Sequence, residues 1–284
     1  FTSAPQRKYA TLKEAVFTGT ITSTTNSLIY NNLNANLTVK EAILNLNKSG
    51  SAITNDGTVS TLSNVVINLN ASGSGIYNGY YANIKDGGAT INTNSGDSYG
   101  IYNVSKVDDG FSDYILNLKY DSYHPSYGIY NDKNKINVNN IKTNSGYAYY
   151  YNSKLIINDS ILNSRLNISN GYIMINNSTH KFVDTISVGS KSEFIVNNST
   201  INDSYRISDD SSVTFNNSTI YGTISGGNVE INDSNVSVSG SCYWDYMINS
   251  NNVVITGNST ITSEGYGVLT ANKVVIGTND GDVS

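Results

Sequence analysis

Through the second half of the chain, apolar residues come in short bursts spaced two apart, and each burst runs into Asn, then Asn or Asp, then Ser. The copies are Leu155-Ile156-Ile157-Asn158-Asp159-Ser160, Ile173-Met174-Ile175-Asn176-Asn177-Ser178, Phe194-Ile195-Val196-Asn197-Asn198-Ser199, Val213-Thr214-Phe215-Asn216-Asn217-Ser218 and Val229-Glu230-Ile231-Asn232-Asp233-Ser234. A looser sixth copy runs from Val253 to Ile261, and the starts lie 18, 21, 19, 16 and 24 residues apart. Side chains alternate across a strand, so the first and third residues of each block face one way while the middle one, Thr214 or Glu230, stays in water. Val213, Phe215, Val229 and Ile231 are therefore expected in the core. The fifth position is always Asn or Asp. These are the non-glycine types that best tolerate a left-handed backbone, which predicts a sharp corner in every copy. One strand and one corner repeated about every 20 residues is a solenoid rung. Corners in register stack Asn upon Asn, and the amides can hydrogen-bond from rung to rung.

The first half carries a second repeat. Ile91-Asn92-Thr93-Asn94-Ser95-Gly96 leads to Tyr99-Gly100-Ile101-Tyr102-Asn103, and Ile141-Lys142-Thr143-Asn144-Ser145-Gly146 leads to Tyr149-Tyr150-Tyr151-Asn152. Gly75-Ile76-Tyr77-Asn78 and Gly128-Ile129-Tyr130-Asn131 are further copies, and the spacings imply the same rung with longer loops at 104–113 and 119–127. If Ile76, Ile101 and Ile129 face the core, alternation turns Tyr77, Tyr102, Tyr130 and Tyr151 outward as a column of phenol rings about 4.8 Å apart. Such a column either stiffens the solenoid or offers an amphipathic platform to sugar rings or to another protein. The loop residues Tyr80, Tyr81, Tyr120, Tyr123 and Tyr127 would extend it.

Residues 1–48 read as an N-terminal cap with the first strands. Thr11-Leu12-Lys13-Glu14-Ala15-Val16-Phe17 and Thr38-Val39-Lys40-Glu41-Ala42-Ile43-Leu44 both place Thr three residues before Glu ahead of apolar residues, which predicts that one of them is a short capping helix. Strand is the competing reading for the second, because Ile43-Leu44-Asn45-Leu46 also alternates. A solenoid needs its open end covered, since unpaired terminal strands recruit other chains. Residues 49–284 then form the solenoid proper. Thr54-Asn55-Asp56-Gly57-Thr58-Val59-Ser60 returns as Thr278-Asn279-Asp280-Gly281-Asp282-Val283-Ser284. Either a turn motif is reused, or the parent protein continues into further modules.

Composition agrees with strands and turns and removes several functions. Asn accounts for 44 of 284 residues and Tyr for 22, while charged residues make up 14% and the formal net charge is −5. No basic stripe exists for nucleic acid, and no apolar run is long enough to insert in a membrane as a helix. A single Cys, Cys242, and two distant histidines, His124 and His180, offer no framework for a disulfide or a metal, so no cofactor is expected.

The Asn-cornered rungs resemble the right-handed parallel β-helix of pectate-lyase-like proteins. The opening Tyr9-Ala10-Thr11-Leu12-Lys13-Glu14-Ala15-Val16 is similar to the start of such modules in large surface proteins of Gram-positive bacteria. The resemblance implies an all-β right-handed solenoid of about 10–12 rungs with the short N-terminal capping helix. It covers about residues 50–284, and its hosts include lyases, hydrolases, adhesins and passive stalks. A lyase of this kind is implied to hold calcium on several Asp beside a proton-abstracting Arg, yet only Arg165 and Arg206 lie within the rungs, near Asp159 and Asp203. A hydrolase needs paired carboxylates. The pairs Asp108-Asp109 and Asp209-Asp210 both fall in polar turns, where solvated acids are the simpler reading.

One segment departs from the rung pattern, Ser241-Cys242-Tyr243-Trp244-Asp245-Tyr246-Met247. Its large side chains either bury beneath a loop or, if exposed, make Trp244 and Tyr246 strong ligand anchors. The expectation is therefore a secreted or cell-surface monomeric module without catalysis, an adhesin or binding segment. Its partner would be a polysaccharide or a host or cell-surface protein, engaged by Tyr77, Tyr102, Tyr130, Tyr151, Tyr123, Tyr127, Trp244 and Tyr246. A polysaccharide lyase or glycoside hydrolase and a passive stalk are the alternatives.

Overall fold

The computed structural model describes residues 14–24, 26–85, 87–105, 109–119, 124, 126–132, 135–151, 154–181, 185–238, 246–264 and 267–277. Every regular element among them is a β-strand, wound as a parallel β-solenoid of about nine turns. The chain divides into two compact units, Phe1–Tyr149 and Tyr150–Ser284.

In the first unit, one face stacks the strands Ser27–Asn31, Gly50–Asn55, Gly73–Asn78, Tyr99–Asn103 and Tyr127–Asp132 in parallel, with Ile29, Ile53, Ile76, Ile101 and Ile129 in one column. A second face is built from the later halves of Glu14–Ser23, Asn36–Leu46 and Thr58–Leu69, continued by Gly87–Thr93 and Ile115–Asn117. The earlier halves of those long strands turn onto a third face, continued by Asn83–Ile84. They can turn because Glu41 and Asn64, equivalent across the ladder, take left-handed backbones at φ 48° and 53°. Gly88 follows at the same level, and a Cβ there would meet the Asp113 carbonyl oxygen at 2.0 Å. This corner column is invisible to a search for Asn alone.

The segment Thr38 to Leu44 is strand, not a capped helix. Its buried residues are Val39, Ala42 and Leu44, each at most 1% exposed. The left-handed Glu41 breaks the alternation between them, so a bent strand imitates the three-then-two spacing of a helix face. Glu14 to Phe17 of the other copy is also strand, while Thr11 to Lys13 lie outside the described residues. No helix occurs among the described residues. The solenoid has about nine turns instead of 10–12 because first-unit rungs are long. Asn31, Asn55, Asn78, Asn103 and Asn131 follow one another at 24, 23, 25 and 28 residues.

In the second unit the repeats set the register directly. Ile173 pairs with Phe194, Phe194 with Val213, and Val213 with Val229, all in parallel. Each position of the six-residue block has its own task. Positions one and three fill the core, with Val213, Phe215, Val229 and Ile231 all buried. Position four carries a ladder in which Asn232 Nδ2 donates to Asn216 Oδ1, Asn216 to Asn197, Asn197 to Asn176 and Asn176 to Asn158, all at 2.8 Å. Position five makes the corner, with φ of 51°, 50°, 48°, 46° and 47° at Asp159, Asn177, Asn198, Asn217 and Asp233. Position six ties adjacent rungs together. The Ser160 N–H donates to Ser178 Oγ and the Ser178 N–H to Ser199 Oγ, both at 3.0 Å. Each of these hydroxyls donates in turn to the carbonyl two residues earlier, as Ser178 Oγ does to Asn176 O at 2.7 Å.

Candidate functional site

The tyrosines of the first unit gather on the face made by Gly73–Asn78, Tyr99–Asn103 and Tyr127–Asp132. Tyr77, Tyr102 and Tyr130 are in register and half-buried, over buried Ile76, Ile101 and Ile129. Their rings stack, Tyr77 on Tyr102 at 5.6 Å and 13°, Tyr102 on Tyr130 at 4.6 Å and 17°. A second stack runs beside it, Tyr99 on Tyr127 at 5.1 Å and 16°. The stacks meet edge to face, with Tyr99 at 5.0 Å and 89° to Tyr102 and at 5.7 Å and 74° to Tyr130. Five phenols thus form one herringbone patch. Edge-to-face and offset-stacked rings are the arrangements that ring quadrupoles favour.

The backbone explains why both stacks share a face. Gly100 and Ile101 are both buried, so the residues on either side of the pair, Tyr99 and Tyr102, emerge together. Glycine is needed there because a Cβ on Gly100 would lie 2.6 Å from the Gly128 carbonyl oxygen. Tyr127 is therefore a strand residue, not a loop residue, and Tyr99 belongs to the site although the alternation argument did not select it. The recurrence of Tyr-Gly-Ile-Tyr at 99–102 and 127–130 carried that signal.

Because successive rings lie over one another along the column, much of each ring face is covered by its neighbour. What such stacking leaves for a ligand to meet is mainly ring edge. Burial pushes the Tyr99 phenol above its ordinary range, and the neighbouring Tyr127, Tyr102 and Asp97 push it the same way. One column step below Thr54, Tyr30 donates its hydroxyl to Asp56 Oδ2 at 2.6 Å. Tyr80 and Tyr81 are exposed and pack edge to face at 4.8 Å.

Several of the remaining candidates lie outside the described residues. Tyr120, Tyr123, Cys242 and Trp244 lie outside the described residues, as do Asp108 and most of the loop 119–127. Tyr151 ends the strand Lys142–Tyr151 and Tyr246 opens Tyr246–Thr256, but their side chains are outside the described set. Asp209 and Asp210 serve their loop, accepting from Asn251 Nδ2 at 3.2 Å and from the Lys191 N–H at 3.2 Å. Asp159 is a corner residue and Arg206 is exposed. His124 sits on the surface with its Nδ1 2.8 Å from Asp97 Oδ2.

Two polar features escaped the sequence. In the core of the second unit His180 Nδ1 meets Asp203 Oδ2, with each side chain only 1% exposed. Tyr205, fully buried nearby in sequence, has its phenol pushed far up by burial and by Asp203. In the first unit the Asn that ends each Gly-Ile-Tyr-Asn copy continues a buried ladder begun by Asn31 and Asn55, with Asn31 Nδ2 donating to Asn55 Oδ1 at 2.7 Å and the series running on through Asn78, Asn103 and Asn131 at 2.8 Å each. No protein-family model, curated protein or solved structure matches this chain.

Proposed function

We propose that this chain is a non-catalytic binding module of a secreted or cell-surface protein, and that its tyrosine face takes an extended polysaccharide. The observation that supports it is the five-ring patch of Tyr77, Tyr99, Tyr102, Tyr127 and Tyr130. Aromatic side chains held by one another lose little conformational freedom when a ligand arrives. Repetition at one strand spacing, about 4.8 Å, offers an extended polymer the same phenol edge and oxygen at each step. Right-handed winding of the pectate-lyase-like kind is part of this proposal, resting on the Asn-cornered rungs. An extracellular setting is part of the same proposal and rests on the resemblance of the Asn-cornered rungs to surface-protein modules.

A glycan array and a pull-down on insoluble polysaccharides test the proposal. Tyr102→Ala and Tyr130→Ala should each weaken retention at least tenfold while the thermal midpoint moves by only a few degrees. Retention that survives both substitutions, or a chain that holds a cell-surface protein through these tyrosines and no glycan at all, would refute the polysaccharide reading.

A further inference from the structure

A different surface of the first unit has the chemistry of a second ligand site. On the face built by Asn36–Leu46, Thr58–Leu69, Gly87–Thr93 and Ile115–Asn117, register aligns Asn45, Asn68, Asn92 and Asn117 in one outward column. Ile43, Val66, Thr90 and Ile115 align in the column beside it. Ile43 and Ile115 remain 44% and 39% exposed. Asn47, Asn70 and Asn94 make a third column, bonded Asn94 to Asn70 and Asn70 to Asn47 at 2.7 Å. An open groove lies here, lined by Asn68, Asn92, Asn94, Asn117, Leu118 and Lys119.

The amides of the central column are only partly spent on each other. Asn117 Nδ2 donates to Asn92 Oδ1 at 2.8 Å, Asn92 to Asn68 and Asn68 to Asn45 at 2.7 Å, and Asn45 to Thr22 Oγ1 at 3.0 Å. A carboxamide has two N–H groups and two lone pairs. Along a column, the N–H that reaches the next oxygen is the one trans to its own carbonyl. On Asn68 and Asn92 the second N–H and second lone pair then sit side by side on the outer edge of the amide, away from Cβ. That edge is a donor and an acceptor in one plane, the complement of two neighbouring hydroxyl groups.

We propose that this groove binds a neutral polysaccharide laid across the strands, with adjacent hydroxyls paired to the Asn68 and Asn92 amide edges and the sugar C–H surface resting on the Ile43 to Ile115 row. Neutrality follows from the lining, whose described residues are uncharged except for the single Lys119, too little positive charge to hold a polyanion against the chain's net charge of −5. An extended peptide is disfavoured because its backbone pairs at sheet edges, and this is a sheet face. A polymer is favoured because the amide edge recurs on successive turns.

The test is a titration of the isotope-labelled chain with cellohexaose, xylohexaose, mannohexaose and hexagalacturonate, followed through the side-chain amide signals of Asn68 and Asn92. At least one neutral hexasaccharide should move those signals, and hexagalacturonate should not. Asn92→Val should weaken binding at least tenfold. Asn94→Tyr, an exposed replacement that fills the groove, gives up only the surface bond to Asn70 and leaves the central ladder intact, should do the same. The inference is overturned if no neutral hexasaccharide shifts the two amides, if binding survives Asn94→Tyr, or if the uronate shifts them equally. These signals are separate from those of the tyrosine face, so either surface can fail alone.

Discussion

A single backbone angle explains the most regular feature of the sequence. Asn217, at φ 46°, stands where a left-handed residue must turn the rung, and the same holds for Asn177 and Asn198. Asn217→Val should cost about 1–2 kcal/mol in chemical denaturation, because a Cβ branch aggravates the clash that makes this region unfavourable, whereas Asn217→Gly should be nearly neutral. The corner residues were legible because their requirement is local. The pairing of His180 with Asp203 was not, since 23 residues separate them and only the coil brings them together. Removing one partner strands the other in the core. His180→Leu or Asp203→Leu alone should destabilise by about 3–5 kcal/mol, and the double replacement should recover much of that loss, as measured by denaturant midpoints.

At the scale of the strand, the decisive interactions run across rungs instead of along them. Asn103 lies wholly buried in the ladder of the first unit, donating to Asn131 and accepting from Asn78 at 2.8 Å. Asn103→Leu deprives both neighbours at once, so a loss of about 2–4 kcal/mol is expected, one buried unsatisfied group on each side, together with faster amide exchange in the flanking strands. The alternation that placed Ile76, Ile101 and Ile129 inside also placed Tyr77, Tyr102 and Tyr130 outside, and the structure agrees on all six. It failed where alternation itself fails. Glu41 bends its strand and imitates a helix face, and the buried pair Gly100-Ile101 brings Tyr99 to the surface one residue out of phase. Both are irregularities of a single residue, and period-two reasoning has no means of seeing them.

Across the molecule, each unit buries one phenol whose oxygen has no hydrogen-bond partner among the described residues, Tyr114 in the first and Tyr205 in the second. Burial raises both well above the ordinary value near 10. Folded chains therefore keep these protons where unfolded chains release them. Stability is retained below about pH 10 and declines above it, by up to about 1.4 kcal/mol per pH unit for each phenol. Denaturant midpoints should fall between about pH 10 and 12, and Tyr205→Phe should shallow that fall while leaving neutral-pH stability equal or about 1 kcal/mol higher. The amide ladders carry one more consequence. In the first unit the buried ladder donates toward higher residue numbers, Asn31 to Asn55 and onward, while both outer ones donate toward lower numbers, Asn117 to Asn92 and Asn94 to Asn70 and onward. An amide that rotated alone would set N–H against N–H on one side and oxygen against oxygen on the other. Every column must keep one sense of direction or reverse as a whole, and the buried column of the first unit offsets only part of the dipole that its two outer columns share.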